Sequence, residues 1–410
     1  MSVEVLRGRV VASGVVLEDG VVVVDGDRIA WVGPAAEAPD GVAVPDARAD
    51  GRSAAPTYLP GLVDVHCHGG GGAGFPDSPD VATARRAAAE HLRHGTTSLV
   101  ASLVTADEET LLARTATLAE LADAGELAGI HLEGPYLSPH RCGAQDPAYM
   151  TEGRPDTVRR VAEAARGWLA TMTVAPDVPG VTGPDGVAAT LADIGALPSF
   201  GHTDATDVVM AQALAEARSA LATPGARSAR PTVTHLFNGM APWHHRTPGP
   251  VPAALAAAAR GDAVIELVAD GVHLAPGTVR AVFALVGAAN IALVTDAMAA
   301  AGMPDGDYVL GPAAVVVRGG IARLAPLPGA PADSGAIAGG TAHLLDVLRA
   351  TVAAGVDLAE AVTAATATPA GVLGRTDIGA LAAGLRADVL EVDEDMRPLR
   401  VMRAGDWLFP

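Results

Sequence analysis

The 410-residue sequence contains no lysine: all 28 of its Lys/Arg positions are arginine. A Schiff-base nucleophile is therefore excluded, and with it pyridoxal-phosphate and lysine-dependent aldol chemistry. A Walker-A loop and a protein-kinase lysine are excluded on the same ground. Positive charge is scarce altogether. Against 47 Asp and Glu the formal net charge is −19, which argues against nucleic acid as a partner, because neutralising phosphate needs a basic surface. Cysteine occurs twice, at Cys67 and Cys142, too few for a disulfide framework, so the cytoplasm is the expected compartment. The opening MSVEVLRGRVVASG lacks the apolar core of roughly 7–15 residues that a secretion signal needs. Ala-rich stretches are broken by charge, as at Arg260-Gly261-Asp262, before reaching about 18 residues, so no membrane span is expected. With 5 Phe, 4 Trp and 4 Tyr in a chain that is 50% hydrophobic, the core must be built mainly from Ala, Val and Leu.

What is present is a change of texture along the chain. The N-terminal stretch, residues 4–47, reads as short strands in hairpins, with a Gly/Asp turn at Asp25-Gly26-Asp27 between two β-branched runs. From Pro60 onward, apolar runs alternate with Ala-rich segments of helical period. The runs are 62–65, 98–103, 128–132, 171–175, 198–201, 232–234, 264–269 and 291–295, and the helical segments include 81–93, 108–124, 157–166, 207–221 and 275–286. Eight buried strands, most followed by a helix, predict an α/β fold: a (β/α)8 TIM-like barrel. A hairpin at 313–324 and helical runs at 341–353 and 358–370 follow. Strand texture then returns at 378–381, 387–392 and 399–403. The expectation is a barrel at 59–374 and a small β-sandwich domain formed from both chain termini, 1–58 plus 375–410.

Barrel enzymes keep their chemistry at the C-terminal ends of the strands. Here those ends carry His66-Cys67-His68, His131-Leu132-Glu133, His202-Thr203-Asp204, His235-Leu236-Phe237-Asn238, Asp270-Gly271-Val272-His273 and Thr295-Asp296. In His-X-His the residues i and i+2 of an extended strand face one side, so both imidazoles reach a single ion. A lone histidine is usually a satisfied polar residue. His91, His94 and His343 are read that way, His131 as packing, and His140, His244 and His245 as loop residues, solvated or substrate-facing. Four histidines, a Glu and an Asp at five strand ends are another matter, and predict a metal site. Cys67 points away from its flanking histidines into the core, and Cys142 sits in a Pro/Gly loop with no identifiable base.

These segments together resemble the amidohydrolase superfamily and, within it, the N-acetylglucosamine-6-phosphate deacetylases. His-X-His indicates only the superfamily. His131-Leu132-Glu133-Gly134-Pro135, His235-Leu236-Phe237-Asn238-Gly239-Met240 and Thr295-Asp296-Ala297-Met298 are specific to the branch. Many binuclear members bridge their metals with a carbamylated lysine, which is impossible here, and the branch uses a glutamate that corresponds to Glu133. The resemblance implies that Glu133, His202 and His235 hold the principal ion, with His66 and His68 at a second position. Asp296 matches the catalytic aspartate and a metal-facing position. One or two divalent ions are implied, Zn²⁺ foremost and Fe²⁺ as the alternative. Gln145, Asn238, Gly239, Arg246, His273 and Ile337 match substrate-binding positions. A Gln at the lid position donates a hydrogen bond to an acetyl carbonyl but cannot titrate, and a guanidinium offers phosphate a fixed donor fork. That arginine can come from a neighbouring subunit, which implies a homodimer. The activity implied is acetate release from a phosphorylated amino sugar. Alternatives are the galacto epimer, a cyclic-amide hydrolase or other amidohydrolase, and a catalytically silent barrel.

Overall fold

The computed structural model describes residues 3–46, 55–223, 225–327, 329–331 and 333–409; positions 1–2, 47–54 and 410 of the expected terminal domain lie outside them. Eight parallel strands form the barrel sheet in sequence order: Leu62–Cys67, Thr96–Leu103, Gly129–Glu133, Leu169–Val174, Leu197–Phe200, Thr232–Val233, Val264–Leu267 and Ile291–Leu293. Every residue of these strands is buried. Such strands read as near-continuous apolar runs because helices cover one face and barrel filling the other. The first and eighth strands close the barrel through a parallel bridge, Cys67 to Ala297, where Asp296 N donates to His66 O at 2.9 Å and His68 N to Ala297 O at 2.7 Å. Closure therefore falls on residues singled out by the sequence pattern.

The outer helices start where short polar side chains accept from the first turn. Asp80 caps Val81–Arg93, Asp107 caps Glu108–Asp123 and Thr206 caps Asp207–Leu221. Two helices, Val187–Asp193 and Val251–Ala259, are not visible in the sequence reading. The first has only 7 residues, and the second is entirely apolar and mostly alanine, with no polar face to set a period. The expected run 358–370 is two helices, Leu358–Ala365 and Ala367–Val372, broken at Thr366. Pro369 lacks the N–H that a continuous helix would need. No strand forms at 378–381; Gly379 turns there with φ +86° against Ala370.

Strands from both ends of the chain share one seven-stranded sheet, in the order Asp406–Phe409, Pro398–Arg403, Val389–Val392, Thr57–Pro60, Val3–Ala12, Val15–Asp25, Arg28–Pro34. Its core gathers Leu6, Val10, Val22, Ile29, Tyr58, Val389 and Met402. Thr57–Pro60 runs through Gly61 directly into the first barrel strand, and a Cβ at Gly61 would lie 2.2 Å from Thr97 Oγ1. The junction is pinned by buried Asp388, which accepts from Thr97 and pairs with Arg386. A third sheet, Gly306–Leu310, Ala313–Arg318 and Ile321–Leu324, packs on Val104 and Met298–Ala300 beside the barrel mouth. Among the described residues no helix is long and apolar enough to cross a membrane.

Candidate metal centre

Three strand ends turn sharply at the residues that matter. His202, His235 and Asp296 have positive φ, at 45°, 25° and 48°. For non-glycine residues such conformations cost about 1–3 kcal/mol each and persist only where the surroundings over-determine them. Here they do: Ser138 N donates to His202 O at 2.9 Å, Asn238 N to His235 O at 3.0 Å, and Gly340 N to Asp296 O at 2.6 Å. The loop after His235 must also pass over His202. A Cβ on Gly239, at φ +59°, would lie 2.6 Å from His202 Nδ1, so only glycine fits.

The result is two triads sharing one carboxylate. Glu133 Oε1 lies 2.9 Å from both His202 Nε2 and His235 Nε2, which are 3.1 Å apart. Glu133 Oε2 lies 3.2 Å from His68 Nε2 and 3.9 Å from His66 Nε2, and those two nitrogens are 3.1 Å apart. Asp296 Oδ1 closes the second triad at 3.3 Å from His68 and 3.5 Å from His66. All six side chains are buried.

The outer ring nitrogens decide what these triads can hold. His66 Nδ1 faces Glu266 Oε2 at 3.0 Å, His68 Nδ1 faces Ser102 O at 3.2 Å, and His202 Nδ1 faces Arg141 O at 2.7 Å. Each partner is an acceptor, so each Nδ1 carries the proton and each Nε2 is left as a lone pair. At these three rings lone pairs therefore face carboxylate oxygens, which a cation would satisfy; His235 Nδ1 is buried with no partner among the described residues, so nothing on its far side fixes that ring. The donor set, imidazole nitrogen and carboxylate oxygen, suits a divalent ion of the Zn²⁺ or Fe²⁺ type. Local electrostatics agree. Burial disfavours a charged His66, but Glu266, Asp296 and Glu133 outweigh it and push its pKa up to about 10. Burial likewise disfavours ionised Glu133 and Asp296, yet the surrounding histidines hold both below the usual carboxylate range. The field that would draw a proton onto these rings also draws a metal ion.

Two other clusters of metal-ligating residues fail the same test. In Asp64–Cys67–His91, the His91 Nε2 near Cys67 donates to Gly69 O at 2.8 Å, and Asp64 accepts from Thr295 Oγ1 at 2.6 Å. In Glu90–His94–His343, the two rings stack at 3.5 Å with planes 10° apart, so their in-plane lone pairs do not meet.

A cavity of about 260 Å³ opens onto the triads. Its wall includes Gln145, Asn238, Gly239, His273 and Ile337, together with Leu310 from the third sheet. The amide of Gln145 is engaged at both ends: its Nε2 donates to Glu133 Oε2 at 2.6 Å and its Oε1 accepts from Thr105 N at 2.8 Å. His273 is held by Asp270 at 2.8 Å, with Nε2 4.0 Å from Asp296 Oδ2. Arg246 is not brought there; it is exposed, as are Trp243, His244 and His245, and no arginine among the described residues lines the cavity. His140 is exposed, while His131 is buried between Ser102 and Thr173 with its ring edge-on to His66. Glu266 was not picked out from the sequence, although a lone carboxylate inside Val264-Ile265-Glu266-Leu267 is itself a signal in a strand buried on both faces.

Residues 57–408 match the model of the amidohydrolase family. The chain is 30% identical over 369 residues to N-acetylglucosamine-6-phosphate deacetylase of Bacillus subtilis, covering 86% of this chain and 84% of that protein. It is 30% identical over 365 residues to N-acetylgalactosamine-6-phosphate deacetylase of a Shewanella species, covering 86% and 83%. Among solved structures it is similar to N-acetyl-D-glucosamine-6-phosphate deacetylase of Mycobacterium smegmatis, with TM-score 0.85, 38% identity, and coverage of 99% of this chain and 100% of that one.

Proposed function

The chain belongs to the amidohydrolase family, and on that premise we propose that it hydrolyses the acetamido group of N-acetylglucosamine 6-phosphate, giving glucosamine 6-phosphate and acetate. The observation that carries this reading is Glu133 set between two histidine pairs, one carboxylate oxygen to each, in a chain with no lysine to do the same. The enzyme is metal-dependent. His202, His235 and Glu133 hold the principal ion; His66, His68 and the other oxygen of Glu133 hold a second, with Asp296 within reach. Zn²⁺ is the ion we assign first and Fe²⁺ the alternative. A divalent ion bound there supplies Lewis acidity, polarising an amide carbonyl and making water easier to deprotonate.

The chain's own residues do the rest. Asp296, kept ionised by His68 and His66, accepts the proton of the attacking water and passes it to the departing nitrogen. Amines leave poorly unless protonated, so one carboxylate serving as base and then acid suffices. His273, steadied by Asp270, faces the same place and grips the sugar together with Asn238, Gly239 and Ile337. Gln145 holds Glu133 with one N–H of its amide and has the second to offer an acetyl carbonyl. Phosphate falls to Arg246 of the partner subunit in a homodimer, since the cavity of a single chain has no arginine among its described lining residues. We place the protein in the cytoplasm, with both cysteines free, and treat 59–374 as the catalytic domain with 1–58 plus 375–410 as the second. The Shewanella relative supports a second reading, the galacto epimer. Acetate release from the two phosphorylated sugars, assayed side by side, decides between them; release from neither removes the activity.

A further inference from the structure

Each triad is built from its own strands apart from Glu133, yet a second carboxylate touches both. Glu266 lies on the seventh barrel strand, 1% exposed. Its Oε2 faces His66 Nδ1 at 3.0 Å and accepts from the backbone N of His235 at 3.2 Å. The backbone at the same position accepts as well, from Leu236 N to Glu266 O at 2.9 Å. One oxygen therefore meets a ligand of the His66–His68 pair and a ligand of the His202–His235 pair. A carboxylate on a strand whose every residue is buried is expensive to desolvate, and an apolar side chain would serve the strand better. The two contacts are where that cost is offset.

We infer that Glu266 is a positioning residue that couples the two ion positions. It holds His66 with its proton on Nδ1 and its lone pair inward, and it holds the strained His235 turn from the same oxygen. The inference rests on the metal-centre reading above. His66 depends on Glu266 through its side chain, whereas His235 depends on it only through its backbone, which Asn238 also anchors. The ion at His66 and His68 should therefore loosen first. Partners of this kind cost about 10–100-fold in metal affinity when removed.

The test is Zn²⁺ titration calorimetry on metal-stripped full-length protein, with elemental analysis of the reloaded protein and the rate of ion release to a chromogenic chelator. Wild type, Glu266→Gln and Glu266→Ala are compared, and melting of the metal-free forms checks folding. Gln keeps an oxygen acceptor but not the charge, so it folds even if Ala does not. The expected result is one tight and one weakened Zn²⁺ per chain, weakened about 10-fold in Gln and up to about 100-fold in Ala. Release should speed up for that ion alone, with the metal-free Gln variant melting like wild type. Two ions held as tightly as in wild type, or both weakened equally, would overturn the role of Glu266. Wild type that binds fewer than two ions overturns the two-ion reading itself, before any variant is compared.

Discussion

Two regions of this molecule bring histidines and carboxylates within ligand distance, and they do opposite things with them. At the barrel mouth, Nδ1 of His66, His68 and His202 is tied to an outer acceptor, and the Nε2 lone pairs converge on Glu133 and Asp296. At the C-terminal end of the first outer helix, His94 donates its Nδ1 to Glu90 O at 2.9 Å and stacks flat against His343, while His91 spends its Nε2 on Gly69 O. Residue type and proximity are the same in both. The direction of the lone pairs, set by what holds the far side of each ring, separates a metal centre from a hydrogen-bonded network.

The comparison breaks most readily at Asp296. Asp296→Asn should lower turnover by about 10²–10⁴-fold, the size of a general acid–base contribution, and steady-state kinetics showing near-normal turnover would remove it from proton transfer. Next in size is Arg246→Ala. Losing a charge-assisted contact worth roughly 1.5–3 kcal/mol should raise KM for the phosphorylated sugar about 10–100-fold, with little change for unphosphorylated N-acetylglucosamine. Equal losses on both sugars would take Arg246 out of phosphate binding.

The helix cluster has its own signature, in stability against pH. Burial, reinforced by His343, pushes His91 down to about 3, while the unfolded chain protonates it below about 6.5. The unfolded state therefore binds the extra proton, and stability falls as pH falls from about 6.5, by roughly 2 kcal/mol at pH 5. Urea unfolding at pH 7 and pH 5 should show a loss smaller by that amount in His91→Gln; identical losses would refute it. The smallest effect expected is none: His94→Gln and His343→Gln should leave ion content and turnover unchanged, and a drop in either would erase the distinction between the two regions.

Much of this was legible in the sequence because period and position encode it. Alternation in His66-Cys67-His68 places two rings on one face, and four other strand ends carry the remaining candidate ligands. Other features were not legible, for identifiable reasons. An alanine helix such as Val251–Ala259 has no amphipathic stripe to read. Ile378-Gly379-Ala380-Leu381 looks like a strand until Gly379 turns. Positive φ at His202, His235 and Asp296 leaves no trace in residue type. Glu266 and the far-side acceptors act across more than 60 residues of chain or through backbone oxygens, as in Glu266–His66 and Arg141 O–His202. The absent lysine carried information in both directions: it excluded unrelated enzymes and left Glu133 to join the two histidine pairs.

The most direct measurement is acetate release from N-acetylglucosamine 6-phosphate by purified protein, before and after chelation, with elemental analysis of the same samples. Release that stops when the ions are stripped and returns when Zn²⁺ or Fe²⁺ is restored is the result predicted. Unchanged release from metal-free protein, or no release from protein carrying its ions, would contradict it.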